Sequence, residues 1–173
     1  MDPFDTPELT HPLGEDESLD RLTGSWWIYQ LKRGHRFSTD DVVTGWRACV
    51  ATEGRGPLRL LDLGCGIGTV GLVTLYLRGE EDDVLTGVEA QEFSAGLAQK
   101  TMRFNRLADR VSIVHSDLRS FESRTADGYD LITGSPPYMP VGSGIISPHP
   151  QRAACRFELR GSVLDYCLAA RRL

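Results

Sequence analysis

Between residues 60 and 69 the sequence reads Leu-Leu-Asp-Leu-Gly-Cys-Gly-Ile-Gly-Thr, a short apolar run passing directly into three alternating glycines. Gly64, Gly66 and Gly68, with Cys65 between the first two, let the chain turn sharply off a strand tip. They also let a ligand approach the backbone without meeting a Cβ. A dinucleotide turn would be spaced G-x-G-x-x-G to seat a pyrophosphate on the helix start, but here Thr69 stands where the third glycine would be. The ligand therefore need not carry phosphate. Asp62 points the same way, because a carboxylate beside the turn repels a pyrophosphate and can attract an amino-acid ammonium, directly or through water. Glu89, followed by Ala90, ends the next apolar run, where an acid can accept two hydrogen bonds from a ribose diol. Asp117, in His115-Ser116-Asp117-Leu118, is placed to accept from an adenine amino group, with Leu118 offering a backbone N–H; a surface loop acid is the other reading of Asp117. His115 reads as a packing or strand-end residue, since no partner has nucleophile or metal-ligand spacing, and no metal is expected.

The most informative stretch is Gly134-Ser135-Pro136-Pro137-Tyr138. An exocyclic amine on a base, or an amide nitrogen, is a poor nucleophile because its lone pair is delocalised, so its reaction depends on aim. Paired prolines fix the backbone so that the Ser135 hydroxyl and the Pro136 carbonyl can accept the amino hydrogens, while the Tyr138 ring stacks on a planar substrate. A plain proline-rich turn is the alternative.

In order, LDLGCGIG, GVEA and HSDL resemble the motifs of class I S-adenosylmethionine-dependent methyltransferases, and GSPPY resembles the Asn/Asp-Pro-Pro-Tyr loop of those that methylate amino groups. Serine keeps an acceptor but loses reach and charge, leaving adenine, cytosine and glutamine nitrogens open. Tyr29 to Asp41, through Gly34-His35-Arg36-Phe37-Ser38, is similar to the segment before the first motif in bacterial enzymes that modify N6 of the anticodon-loop adenine of a valine tRNA. The resemblance thus covers about residues 25–160. It implies S-adenosylmethionine as cofactor, held by Asp62, Gly64, Cys65, Gly66, Gly68, Glu89, Ala90, Asp117 and Leu118, with Ser135, Pro136, Pro137 and Tyr138 as the catalytic loop. It also implies tRNA as partner, and Phe37, Ser38 and Thr39 as closing over the cofactor; helix capping accounts equally well for Ser38 and Thr39. Release-factor glutamine methyltransferases share the Pro-Pro-Tyr logic, so protein glutamine methylation is the alternative activity, and a non-catalytic cofactor-binding fragment the alternative of another kind.

The elements that must position these residues alternate between short apolar runs and helical stretches, as in βαβ units building a parallel sheet. Strands are expected at 58–63, 84–88, 111–114 and 129–133, preceded by one or two short strands over 25–37. Helices are expected at about 40–51, 67–77, 92–107 and 157–171. The fold class is α/β, a Rossmann-like doubly wound parallel sheet. Class I methyltransferases have seven strands, so the resemblance implies truncation after the fourth strand and its helix, with C-terminal strands missing.

The chain has 173 residues, 40% apolar and 25% charged, a mix that fits one soluble domain and excludes fibrous and disordered classes. Residues 1–20 contain seven acids and no Lys or Arg, and read as an acidic flexible tail ahead of a methyltransferase domain at 21–173. Without that stretch the net charge of −5 becomes +2. Basic clusters stand at Lys32, Arg33, His35 and Arg36 and at Arg152, Arg156 and Arg160, the latter three being candidates for phosphate contacts. No apolar run is long enough to span a membrane, no signal peptide is evident, and four dispersed cysteines fit a reducing, cytoplasmic setting.

Overall fold

The computed structural model describes residues 12–123 and 125–173. Four strands, β3 (Arg59–Leu63), β4 (Val84–Glu89), β5 (Val111–His115) and β6 (Leu131–Gly134), form one parallel sheet in the order β5-β4-β3-β6. The register pairs Leu63 with both Val88 and Gly134, and Glu89 with His115, so the carboxyl ends of all four strands finish side by side. The chain steps from β3 outward through β4 to β5, then returns to lay β6 on the other side of β3. Between β3 and β6 the connections therefore leave in opposite directions, which opens a crevice above the strand ends.

Period-two alternation makes β3 serve both faces of the sheet. Leu60 enters a core with Leu85, Val111, Leu72 and Leu75 of α2 (Thr69–Arg78), and Leu97 and Met102 of α3 (Glu92–Phe104). Leu61 and Leu63 enter the opposite core with Val88, Val114, Phe121 and Ala169. Helices thus cover both faces, as near-continuous apolar parallel strands require. Ahead of the sheet, α1 (Thr39–Ala51) packs on α2 and reaches β6, with Ser38 and Asp41 completing a reciprocal capping box. Its buried residues are Gly45 and Ala48, while the larger Val43, Trp46 and Val50 remain exposed. The close approach explains this, since a Cβ on Gly45 would come within 2.7 Å of the Val73 side chain.

Two expectations are corrected. The acidic tail expected over 1–20 falls partly outside the described residues, but its last part is strand: β1 (Glu17–Thr23) pairs antiparallel with β2 (Trp26–Leu31). Glu17 is buried there, accepting from Lys100 Nζ at 2.7 and 2.8 Å and from the Gly14 amide at 2.9 Å. The hairpin is fastened to α3 by side chains that occupy the free edge of β2. The Tyr29 amide donates to Thr101 Oγ1, the Trp27 amide donates to Asn105 Oδ1, and Asn105 Nδ2 returns a bond to the Trp27 carbonyl.

The helix expected at 157–171 begins later, as α5 (Val163–Arg172), and a short helix that was not expected, α4 (Pro150–Arg156), precedes it. Phe157 leaves the helical conformation and Gly161, at φ +134°, sets the break. Asp165 accepts from the Ser162 amide to start α5, and Pro150 sits in the first turn of α4, where its missing N–H costs nothing.

At the opposite, amino ends of the strands, Asp83 accepts from the Leu58 amide (2.8 Å) and pairs with Arg78 Nε (2.6 Å), both side chains being almost fully buried. Arg78 also donates to the Thr52 and Gly56 carbonyls, so one ion pair closes the turns before β3 and β4. Removing one partner of a buried pair leaves an uncompensated charge. Asp83→Ala is expected to destabilise the fold by about 3–5 kcal/mol, measured by urea unfolding; a loss below about 1 kcal/mol would contradict this role.

Candidate functional site

The described pocket that gathers the chemistry-bearing residues lies in the crevice at the carboxyl ends of β3, β4 and β6. Its floor is the turn after β3, where Gly64, Gly66 and Gly68 all have positive φ (60°, 56° and 93°) that only glycine adopts freely. A Cβ on Gly66 would meet nothing within 4 Å, so the backbone there fronts open space, as a turn that cradles a ligand should. A Cβ on Gly64 or Gly134 would instead collide with the Tyr166 ring. This tyrosine of α5 fills the gap between the ends of β3 and β6, and burial pushes its hydroxyl pKa up.

Glu89 stands at the tip of β4 with both carboxylate oxygens already oriented. Oε2 accepts from the Gly66 amide at 2.9 Å and Oε1 from the Gln91 amide at 2.7 Å. Burial raises its pKa, opposed by the Gln91 and Gly66 donors and by Arg160. These bonds aim the carboxylate while leaving lone pairs for a ligand diol. Asp117 lines the pocket after β5 beside Leu118 and holds Arg119 in a fork, Nε to Oδ1 at 2.9 Å and Nη2 to Oδ2 at 2.6 Å, which keeps its carboxyl below the usual range.

From β6, Ser135, Pro136, Pro137 and Tyr138 form the facing wall; Pro137 is buried, whereas Tyr138 is 69% exposed at the lip. The near wall is the segment between β2 and α1, with His35, Phe37 and Ser38, continued by Asp41 in the first turn of α1. The Phe37 amide donates to Gln30 Oε1, and the His35 amide to Gln151 Oε1 of α4, so this segment is tied to elements on both sides of it.

Of the residues expected to hold a cofactor, Gly64, Cys65, Gly66, Glu89, Ala90, Asp117 and Leu118 line this pocket, as do all four of the expected catalytic loop. Asp62 and Gly68 do not line it. Asp62 is 1% exposed and accepts from the Gly71 amide (3.2 Å) and Thr133 Oγ1 (3.0 Å), so it braces the start of α2 against β6 from below the turn. Gly68 is the N-cap of α2, with the Met102 side chain against it. Phe37 and Ser38 reach the pocket and Thr39 does not. Sequence reasoning missed Tyr166, Cys155 and Asp41. Arg160, expected only as a candidate for phosphate contacts, lines the pocket, where its guanidinium donates to the Ala90 carbonyl at 2.9 Å. Tyr166, Cys155 and Arg160 carry no local signature, because they reach the site only through tertiary packing of α4, α5 and the loop between them, whereas the local signature of Asp41 is that of a helix cap.

The methyltransferase small domain family model matches residues 36–144, from the near wall through the β6 loop. Among curated proteins the chain is similar to the tRNA1(Val) (adenine(37)-N6)-methyltransferase of Escherichia fergusonii, 30% identical over 134 residues, covering 78% of this chain and 53% of that protein. The enzyme of the same name from Haemophilus influenzae is 30% identical over 130 residues, covering 75% and 53%. The chain spans about half the length of the curated relatives it matches. In fold it is similar to the crystal structure of a SAM-dependent methyltransferase from Agrobacterium tumefaciens, with a TM-score of 0.62 at 18% identity, covering 94% of this chain and 50% of that one.

Burial pushes the Asp62 carboxyl up to about 7, against the pull of the Thr133 and Gly71 donors. The native state then holds a proton that the unfolded chain releases near pH 4, so this group makes stability fall as pH rises from about 4 to about 7. Relative to Asp62→Asn, the native sequence is expected to lose on the order of 4 kcal/mol across that window, read from urea transitions at stepped pH. A difference that stays constant with pH would contradict the assignment.

Proposed function

This chain belongs to the methyltransferase small domain family, and on that premise we propose that its pocket binds S-adenosylmethionine and aims N6 of an adenine in tRNA at the cofactor's methyl group. The observation that carries this reading is the convergence, on one crevice, of a preset diol acceptor at Glu89 and a proline-fixed amine-aiming loop at Ser135 to Tyr138. The open backbone at Gly66 fits the cofactor, since a side chain there would occupy the space a ligand needs. In this reading Glu89 takes the ribose hydroxyls, Asp117 and Leu118 the adenine, and the turn from Gly64 to Gly66 the amino-acid portion. Asp62 supports that turn from beneath; its role is to hold α2, not to touch the ligand.

Bound there, the cofactor supplies an activated methyl group on its sulfonium. The protein's contribution is alignment. Ser135 Oγ, which has no hydrogen-bond partner among the described residues, and the Pro136 carbonyl accept the two amino hydrogens and turn the nitrogen lone pair toward the methyl. Pro136 and Pro137 hold these acceptors without backbone adjustment. Tyr138 stacks on the base, which an anticodon loop can present unstacked at lower cost than a duplex. The names of the curated relatives support tRNA as the substrate class and adenine as the base.

Labelled methyl transfer from S-adenosylmethionine to unmodified bacterial tRNA is the direct test, with counts expected in the RNA fraction. Label appearing in protein instead would move the reading to glutamine methylation. Tyr138→Ala should lower kcat/KM for RNA by roughly 5- to 100-fold through lost stacking while leaving cofactor affinity near that of the native sequence. Glu89→Ala should weaken cofactor binding by roughly ten- to a hundred-fold, since it removes charge-assisted acceptors.

A further inference from the structure

The basic cluster of the β6–α5 connection does not act as a unit. Arg152 Nη2 donates to the Arg33 and Gly34 carbonyls at 2.9 and 3.3 Å, pinning α4 to the segment before α1. Arg160 is likewise spent on the Ala90 carbonyl. Arg156 is exposed and has no side-chain hydrogen bond or ion pair among the described residues, so its charge is free to meet a ligand.

What stands beside Arg156 is the aromatic lip of the pocket. Met139 and Phe157 form an isolated parallel bridge, with the Met139 amide donating to the Arg156 carbonyl and the Glu158 amide to the Met139 carbonyl, each at 3.0 Å. Phe157 is buried, Met139 is half-buried, and both side chains lie against Gly144 of the exposed loop that follows. The residues just before them, Tyr138 and Arg156, are both exposed. Bridged segments run about 4.8 Å apart, so the backbone of Tyr138, which lines the pocket, runs beside that of Arg156, which lies just outside the lining. Arg156 is also near enough to His35, in the pocket wall, to help burial disfavour the charged imidazole.

We propose that Tyr138 and Arg156 form one clamp on a single unstacked nucleotide: the ring stacks the base that enters the pocket, and the guanidinium binds the phosphate of that same nucleotide. This rests on the RNA reading above and adds to it. Arginine suits the task because its planar fork meets phosphate oxygens two at a time. The Met139–Phe157 bridge fixes the spacing between the two contacts, so a base whose phosphate lies elsewhere is presented less well. Arg152 and Arg160 are positioning residues for the pocket walls and take no phosphate.

The test is anisotropy binding of the full chain to a labelled valine-tRNA anticodon stem–loop from 50 to 200 mM salt, with S-adenosylhomocysteine present. A parallel series uses RNA that is abasic at the target adenine. One phosphate contact on single-stranded RNA contributes about 0.7 to the slope of log K against log salt. Arg156→Ala should lower the magnitude of the slope by about that amount on both RNAs, with Arg156→Lys retaining it and both variants melting like the native chain. Tyr138→Ala should weaken binding of the intact RNA by roughly 5- to 100-fold and have no effect on the abasic one, and Arg152→Ala should leave the slope unchanged. An unchanged slope in Arg156→Ala, or an equal fall in Arg152→Ala, would overturn the clamp while leaving the RNA reading standing. No binding of the intact RNA by the native chain would overturn both.

Discussion

The position of β3 between β4 and β6 governs everything that faces the pocket. Because the chain leaves β3 toward β4 and reaches β6 from the other side, two loops diverge above adjacent strand ends, and neither can close the gap with its own backbone. The gap is bounded from within by Tyr166 and from the side by the Gly66–Glu89 hydrogen bond, which ties the turn after β3 to the tip of β4. Glycine at 64 and 134 follows from this geometry, since any side chain would collide with Tyr166. Glycine at 66 follows from the opposite condition, empty space that a ligand can enter.

Acidic groups then grade the site by depth. Asp62 lies below the turn, fully buried and held by two donors, so its carboxylate acts on the start of α2. Glu89 lies at the level of the floor with its oxygens preset by backbone amides. Asp41 and Asp117 stand on the walls. This arrangement suits the cationic cofactor proposed for it, and it disfavours a pyrophosphate, whose charges would face several carboxylates across a partly desolvated space. Arg160 is held at the rim by the Ala90 carbonyl, and Arg156 lies outside the lining with no side-chain partner among the described residues.

The sheet was legible in the sequence because each strand is a short apolar run closed by a glycine, an acid or a turn, and its four strands fall within a residue or two of their expected bounds. The loop from Ser135 to Tyr138, which lines the pocket, was legible as a fixed segment because proline-proline leaves the backbone so little choice. Of the N-terminal hairpin β2 was legible and β1 was not, because β1 is rich in charged residues, and the hairpin is held by Lys100 and Thr101 of α3 and by its C-cap Asn105. The start of α5 was set too early, at Phe157, for a related reason. Phe157 continues a helical apolar pattern, yet it leaves the helix to pair with Met139. From its place before the glycines Asp62 was read as attracting an ammonium, directly or through water. Alternation along β3 instead turns it to the same side as Leu60, toward α2 and away from the pocket.

The central claim is that this crevice is built for S-adenosylmethionine, and a thermal melt of the 173-residue chain with and without the cofactor, with NAD as comparison, tests it most directly. Ligand at about 100 times its dissociation constant should add about 2.7 kcal/mol, raising Tm by roughly 5–11 °C for a domain of this size. That rise is expected with S-adenosylmethionine and none with NAD. A cooperative transition unmoved by S-adenosylmethionine, or raised by NAD instead, would contradict it.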